Sequence, residues 1–193
     1  MGIETDSILY LQMAPTVDWF AAVVDKPKLI LADEQNFAKQ TNRNRIIYGT
    51  FQGAKIFTVP VIHNSTGGSY KGVKISYATH WQNQLINALK TAYGKSPFYE
   101  YYGYRFEIIF KSQYEYLWDL NLAILQEIIV CLKLELSILV EVSAAVVSEI
   151  QLKPVLYYQV FQEKLDFIPH LSVLDLLFNE GPDAVKVLRS MHS

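Results

Sequence analysis

The densest run of hydrogen-bonding side chains lies early in the chain, between residues 39 and 45. Side chains two residues apart in an extended segment point the same way, so the guanidinium groups of Arg43 and Arg45 could together hold a phosphate or carboxylate. The alternative is a solvated surface turn, since isolated basic runs usually lie on surfaces. The candidate anion-binding residues of this segment are Lys39, Gln40, Arg43, Asn44 and Arg45.

Asp175 and Asn179 stand four residues apart in a predicted helix and therefore share one face, as a general base and its orienting partner would. Both residues also have a structural interpretation. Asp175 occupies the fourth position of a capping box that begins at Ser172, and Asn179 comes shortly before Gly181, which is suited to end the helix. The pair is the candidate catalytic site, with helix capping as the alternative.

Nine tyrosines lie in three groups, at 93–104, 114–116 and 157–158, and their rings could stack on the base or sugar of a ligand. Their helical spacing and apolar neighbours favour packing in the core, with the hydroxyl groups hydrogen-bonded there. Gln159 follows two of these tyrosines and could bind either a ligand or the buried main chain. The candidate ligand-binding residues among them are Tyr93, Tyr158 and Gln159.

The familiar motifs of metal sites and common enzymes are absent from the sequence. The four histidines, at 63, 80, 170 and 192, have no cysteine or carboxylate partner at ligand spacing, so no metal site is predicted. Cys131, the single cysteine, lies among apolar residues and is expected to be an inert buried thiol in a reducing, cytoplasmic compartment. There is no glycine-rich phosphate loop or nucleophile elbow, so no cofactor can be assigned.

Length and composition predict one folded domain over residues 1–193. Apolar residues make up 51% of the chain and charged residues 19%, which provides ample core-forming side chains. The formal net charge of -2 argues against a nucleic-acid partner. Charges interrupt the most apolar stretch, 120–147, so no membrane insertion is expected. The sequence leaves the oligomeric state open.

The order of elements predicts a mixed α/β fold: a small mixed sheet with an N-terminal β-α-β unit and a hairpin, followed by a mainly helical half. Apolar runs at 8–11 and 28–31 flank an amphipathic helix that Thr16 can cap. Residues 45–51 and 55–62 form the predicted hairpin, and 73–76 form a short strand.

The helices of the second half are predicted from their capping residues. Thr79 and Ser112 begin capping boxes, Ser96 followed by proline marks a third helix start, and Gly94 suits a position just after a helix end. A buried strand is expected within 136–147, and 157–161 fits an extended segment. Two further helices are predicted, from Ser172 to Gly181 and from 183 to 189.

A set of longer motifs recurs in one order along the chain. They are Lys39-Gln40-Thr41 with Arg43-Asn44-Arg45, Trp81-Gln82, Ala92-Tyr93, Ser96-Pro97-Phe98, Glu100-Tyr101-Tyr102, Tyr157-Tyr158-Gln159-Val160-Phe161 and the segment from Phe167 to Pro182. In these the chain resembles, over nearly its whole length, the WbqC-like family of bacterial proteins, whose members recur in gene clusters for O-antigen and other surface polysaccharides. The resemblance adds Trp81 and Gln82 to the candidate ligand-binding residues. It implies a transferase-type enzyme acting on a nucleotide-linked or lipid-linked amino sugar.

Two positions depart from the family pattern. Where the family usually has His-Tyr and His-Trp, this chain has Asn36-Phe37 and Leu85-Ile86. If those histidines serve as a base or a ligand in relatives, this protein has lost activity or changed its chemistry. The alternative function is therefore a catalytically silent binding or assembly protein of the same family. The expected partner of the enzyme is a small-molecule substrate such as a nucleotide sugar.

Overall fold

The N-terminal strands and the first helix form the predicted β-α-β unit. A computed structural model describes residues 8–32, 37, 41–62, 69–141 and 154–192. Strand β1 is Ile8–Leu9, helix α1 is Val17–Ala21 and strand β2 is Lys28–Ala32. Thr16 caps α1, because its hydroxyl oxygen accepts the Trp19 N–H at 3.4 Å. Strand β2 lies between β1 and a later strand, β5 (Ser137–Glu141), and both pairings are parallel.

The predicted hairpin is also present and makes a second sheet of its own. Strand β3 is Arg45–Thr50 and strand β4 is Gly53–Thr58, paired antiparallel from Arg45 with Thr58 to Thr50 with Gly53. The turn needs glycine at 53, where φ is 105°, a conformation that side chains disfavour. The mixed α/β class is thus confirmed, with the strands divided between two small sheets.

In the part of the chain that the structure describes, five α-helices follow α1. They are α2 (Trp81–Tyr93), α3 (Tyr99–Lys111), α4 (Leu117–Cys131), α5 (Val173–Glu180) and α6 (Ala184–Ser190), with short 3₁₀ turns at Tyr70–Gly72 and Gly181–Asp183. Helix α3 packs against α2, α4 and α5, while α2 and α5 both contact β3. The strand β3 therefore lies where the helical half meets the N-terminal half.

The predicted caps of the central helices were wrong, although the helices themselves exist. His80 precedes α2 and makes no side-chain cap, and α4 begins only at Leu117, whose N–H bonds to the Val73 carbonyl oxygen at 2.8 Å. Ser112 ends α3 instead of starting α4, because its hydroxyl donates to the Ile108 carbonyl oxygen at 2.9 Å. Gly94 has φ of -59°, so it does not adopt the left-handed conformation expected after a helix end.

Ser96 and two extended segments also differ from the predictions. Helix α3 begins at Tyr99 with Phe98 as its cap, so Ser96 belongs to the preceding turn. In strand β5, Leu139 and Val140 are each 41% exposed, so β5 is not the buried strand expected, and among the described strands it lies at the edge of its sheet. Residues 157–161 carry no strand, and 73–76 contributes only isolated bridges.

One buried hydrophobic cluster draws on both halves of the chain, from Leu9 to Met191. It includes Cys131, whose thiol is buried as expected, and burial raises its pKa to about 12, so it is not a nucleophile at neutral pH. Within the described ranges, each helix is too short or too polar to cross a lipid bilayer.

Candidate functional site

The carboxyl group of Asp175 is the centre of a buried polar cluster at the N-terminal end of α5. Ser172 caps this helix by accepting the Leu174 N–H at 3.2 Å, which places Asp175 in the first turn with its side chain directed into the protein. The Tyr157 hydroxyl donates to Asp175 Oδ2 at 2.7 Å, and Gln159 Nε2 donates to the same oxygen at 3.3 Å. Two neutral donors therefore hold one carboxylate oxygen.

Gln159 is itself held rigidly by the main chain. Its Nε2 donates to the Ile168 carbonyl oxygen at 2.9 Å, and its Oε1 accepts the Ile168 N–H at 2.9 Å. These two bonds fix the orientation of the amide. The segment 157–168 has no helix or strand, so the Gln159 amide is what joins its two ends beside Asp175.

Asn179 supports the same segment from one turn further along α5. Its Oδ1 accepts the Val160 N–H at 3.1 Å, and its Nδ2 donates to the Asp175 carbonyl oxygen at 2.8 Å. Asn179 therefore positions the segment around Gln159.

The structure rules out the capping interpretation of Asp175. A capping-box carboxylate would accept the N–H of Ser172, but that N–H donates to the Ile47 carbonyl oxygen at 2.8 Å. Gly181 does adopt a positive φ of 54° after α5, as expected of a residue that ends a helix. The helix therefore ends at its glycine as predicted. The Asp175 side chain takes no part in capping the start of the helix and belongs to the buried cluster.

The second oxygen of Asp175, Oδ1, is buried without a hydrogen bond of ordinary geometry to any described residue. It faces Gly49 in β3: a Cβ added to that glycine would stand 3.4 Å from Oδ1 and 3.2 Å from Phe161 Cε2. The Tyr93 hydroxyl accepts the Gly49 N–H at 2.8 Å beside it. A side chain at position 49 would therefore press on its neighbours, and Oδ1 is buried without a hydrogen bond of ordinary geometry.

Burial controls the acidity of this cluster. Desolvation raises the pKa of Asp175 to about 6, and hydrogen bonding by Tyr157, Tyr93, Gln159 and Asn179 opposes that rise. Burial and the nearby carboxylate raise the pKa of Tyr93 and Tyr157 well above the usual range. At neutral pH the cluster therefore consists of a carboxylate that can take up a proton and two tyrosines that stay protonated.

Arg43 occupies a second buried polar centre, near the start of β3. Its guanidinium lies 4.7 Å from the centre of the Tyr10 ring and 5.4 Å from that of Tyr70, which are cation–π distances. Its carbonyl oxygen accepts from Asn121 Nδ2 at 2.7 Å. Burial lowers the pKa of Arg43 from its usual value. Arg43 is therefore turned into the protein and is not a solvated surface residue.

Neighbouring side chains in this centre bind the main chain. Asn44 is buried, and its Nδ2 donates to the Val59 carbonyl oxygen at 3.0 Å. The Tyr70 hydroxyl donates to the Leu11 carbonyl oxygen at 3.0 Å and is bonded by Asn121. These bonds join chain segments that are far apart in sequence.

The two centres lie toward opposite ends of β3. Gly49 follows Arg45 by four positions along the strand, a distance of about 13 Å at the usual strand rise. Arg45 is half-buried at the start of the strand. The predicted residues Lys39 and Gln40, and the substituted Asn36, lie outside the described residues. The structure thus brings together Asp175, Asn179, Gln159 and Tyr93, and separates them from Arg43 and Asn44.

The remaining predicted residues lie elsewhere. Trp81 is buried in the core, and Gln82 Nε2 donates to the carbonyl oxygens of Phe110 and Ser112 at the end of α3, at 2.6 and 2.9 Å. Tyr158 is 46% exposed. Leu85 is fully buried in the core, so its difference from the family pattern says nothing about chemistry.

Sequence reasoning missed Gly49 and Phe161 as parts of the site and did not single out Tyr157. Gly49 carried a usable signal, because a glycine inside a predicted strand often marks close approach of another group. Phe161 also lines two adjoining cavities of about 430 and 440 Å³ outside the cluster. Phe161 therefore lies both against these cavities and beside Gly49, which faces the Asp175 carboxylate.

Among the described residues, no group of three or more His, Cys, Asp or Glu side chains is arranged to hold a metal ion.

Comparison with protein families gives one match: a model of the WbqC-like protein family matches residues 12–156, which is more than half of the chain. The matched range includes Arg43, Gly49 and Tyr93 and ends just before Tyr157. Neither a curated protein nor a solved structure matches the chain.

Proposed function

Because the chain belongs to the WbqC-like protein family, we propose that it is a transferase-type enzyme of bacterial surface-polysaccharide synthesis. Its substrate is a nucleotide-linked or lipid-linked amino sugar, and the sugar is modified beside Asp175. The proposal treats residues 1–193 as one domain acting in the cytoplasm. The buried cluster that draws on both Leu9 and Met191 supports one domain, and the single cysteine fits a reducing compartment.

The observation that carries the proposal is the Oδ1 oxygen of Asp175, which is buried without a hydrogen bond of ordinary geometry. A transfer to an amine or hydroxyl needs a base that removes the proton of the attacking group. A carboxylate with a pKa of about 6 is ionised at neutral pH and is more basic than an ordinary aspartate. Its Oδ2 is held by Tyr157 and Gln159, so Oδ1 is the atom that accepts the proton.

Access to this oxygen depends on Phe161. The ring edge of Phe161 and Asp175 Oδ1 both lie within 3.4 Å of one point above Gly49. Phe161 is only half-buried and belongs to a segment without helix or strand. In the proposed enzyme, rotation of the Phe161 side chain joins the groove to the carboxylate, and the sugar enters with its reacting amine or hydroxyl toward Oδ1.

The experiment that tests the proposal is a turnover screen with mass-spectrometric detection. The purified protein is incubated with nucleotide-linked amino sugars and activated acyl or glycosyl donors, and a product of higher mass is sought. In Asp175→Asn, turnover should fall by about 10²–10⁴-fold, the usual contribution of a positioned base. The amide keeps the size of the carboxyl group and one oxygen that can accept from Tyr157 and Gln159, so ligand binding should persist.

The matched control is Asp166→Asn, the same change at an exposed aspartate in the adjoining segment. It should leave turnover unaltered. Full turnover in Asp175→Asn, or no product from the unaltered protein with any donor and sugar, would overturn the proposal. The second result would support the alternative of a catalytically silent binding or assembly protein.

A further inference from the structure

A groove runs along α2 on the outer side of Phe161. It consists of two adjoining cavities of about 430 and 440 Å³, each within the size range typical of ligand sites. The cavities share four lining residues, which are Phe51, Thr91, Ala92 and Phe161. One ligand with two distinct parts could therefore occupy both.

The first cavity is strongly basic. Lys90, Lys95 and Lys164 line it, and Glu163 is the only acidic residue among the described residues that line either cavity. None of the three lysines forms an ion pair within 4 Å with a residue that the structure describes. They come from α2, the turn after it and the segment after Phe161, so the fold gathers them from separate parts of a chain whose net charge is -2. Such a group of ammonium donors suits a phosphate or pyrophosphate.

The second cavity has one lysine, Lys55, and its other described lining residues are aromatic, amide, threonine and alanine side chains. Phe51, at the tip of the hairpin, is 62% exposed and presents its ring to both cavities. Gln84 and Asn87, on successive turns of α2, add amide groups that can donate and accept hydrogen bonds. An exposed aromatic ring beside amide groups suits a planar heterocycle, which stacks on the ring and is recognised along its edge.

We infer that this groove is the binding site for the nucleoside diphosphate part of the substrate, with the pyrophosphate beside Lys90, Lys95 and Lys164 and the base beside Phe51. The inference rests on the proposed function in one respect: the proposed substrate is a sugar that is linked to a nucleotide. A sugar linked to that pyrophosphate would extend past Phe161 toward Asp175. The Arg43 centre lies beyond the far end of β3, too distant to hold the same pyrophosphate.

Calorimetric titration of the whole protein tests the inference. The ligands are UDP, dTDP, CDP, GDP and ADP, together with inorganic pyrophosphate and uridine. At least one nucleoside diphosphate should bind, pyrophosphate should bind more weakly, and uridine weakest. The double variant Lys90→Ala/Lys164→Ala should raise the Kd of the nucleotide at least tenfold. Phe51→Ala should raise the Kd of the nucleotide severalfold and leave that of pyrophosphate unchanged.

The control removes the same charge elsewhere. Lys111→Ala/Lys186→Ala changes two exposed lysines that lie outside the lining of the groove, and should leave every Kd unaltered. The lysines are exposed, so thermal melting should show both double variants folded, and the charge reversal Lys164→Glu provides a second variant. Failure of every nucleotide to bind, or equal Kd values in the groove and control variants, would overturn the inference.

The two proposals fail in different ways. If nucleotides bind in the groove but Asp175→Asn keeps full turnover, only the catalytic proposal is wrong. If Asp175→Asn abolishes turnover while Lys90→Ala/Lys164→Ala leaves nucleotide affinity unchanged, only the groove assignment is wrong.

Discussion

The two buried polar centres of this protein use similar groups for different ends. In the Arg43 centre, Asn121 and Tyr70 donate hydrogen bonds to main-chain carbonyl oxygens and so join the segment at 43 to α4 and to residue 11. In the Asp175 centre, Tyr157 and Gln159 both donate to one oxygen of a carboxylate. The other oxygen is buried without a hydrogen bond of ordinary geometry. Burial of polar groups is common to both, and so burial alone does not identify a catalytic site.

The second difference is in titration. An arginine stays protonated throughout the physiological range even when burial lowers its pKa. The Asp175 carboxyl, with a pKa of about 6, changes charge within that range. The Arg43 centre is therefore suited to hold the fold together, and the Asp175 centre is suited to move a proton at a cost in stability.

The largest expected effect that separates the centres is the pH dependence of stability at Asp175. Its pKa rises from 3.8 in the unfolded chain to about 6 in the folded one. The stabilising contribution of the carboxyl is therefore full below about pH 4 and is lost as pH rises through 6, an overall loss of about 3 kcal/mol. The side chain of the Asp175→Asn variant cannot titrate. The free energy of unfolding of this variant, relative to that of the unaltered protein, should therefore increase by this amount between pH 4 and pH 8.

Urea unfolding of both proteins across that range measures the difference, and Asp166→Asn controls for the removal of an exposed carboxyl group. A difference that does not change with pH would mean that Asp175 has an ordinary pKa, and the contrast with the Arg43 centre would be lost.

A smaller loss of stability is expected at Asn121. Asn121→Leu keeps the approximate volume but removes the donor to the Arg43 carbonyl oxygen and to the Tyr70 hydroxyl. An unsatisfied buried acceptor costs about 1–3 kcal/mol, so the free energy of unfolding should fall by about that much at every pH between 4 and 8. Turnover at saturating substrate should not change in the folded variant. Lower turnover at full occupancy would show that the Arg43 centre takes part in the chemistry.

The smallest expected effect is a shift in a pH profile. The Tyr157 hydroxyl lowers the pKa of Asp175, so Tyr157→Phe should raise that pKa. The acid limb of kcat/KM against pH should then move upward by up to roughly one pH unit. Tyr158→Phe is the matched control, because Tyr158 is exposed and its side chain lies on the outside. An acid limb that stays in place would mean that Tyr157 holds the segment without acting on the base.

Much of the fold could be predicted from local pattern. The β-α-β unit, the hairpin and the helices were recognised because apolar spacing repeats with the period of each element, and Thr16 and Gly181 carry short-range signals for helix ends. The capping boxes at Thr79 and Ser112 were wrong, because α2 begins after His80 without a side-chain cap and α4 begins only at Leu117. The Leu117 N–H donates to the carbonyl oxygen of residue 73 across the fold. The Ser112 hydroxyl donates to a carbonyl oxygen of α3, the helix before it.

The composition of the candidate site was only partly predictable. Asp175, Asn179, Gln159 and Tyr93 could be named from their chemistry, but nothing in the sequence showed that they meet or that Arg43 lies apart from them. Their meeting depends on β3, which places Gly49 against α5, and on the Ile168 bonds that turn Gln159 toward the carboxylate.

The sequence by itself determined the family, the mixed α/β class and the residue types available for chemistry, because these depend on motifs and periodicity that act over short distances along the chain. Only the tertiary structure decided which polar groups share a site, which oxygen stays open and how strongly burial raises the pKa of Asp175. Desolvation depends on everything that surrounds a group, and for Asp175 those surroundings come from residues as far apart as 49 and 179.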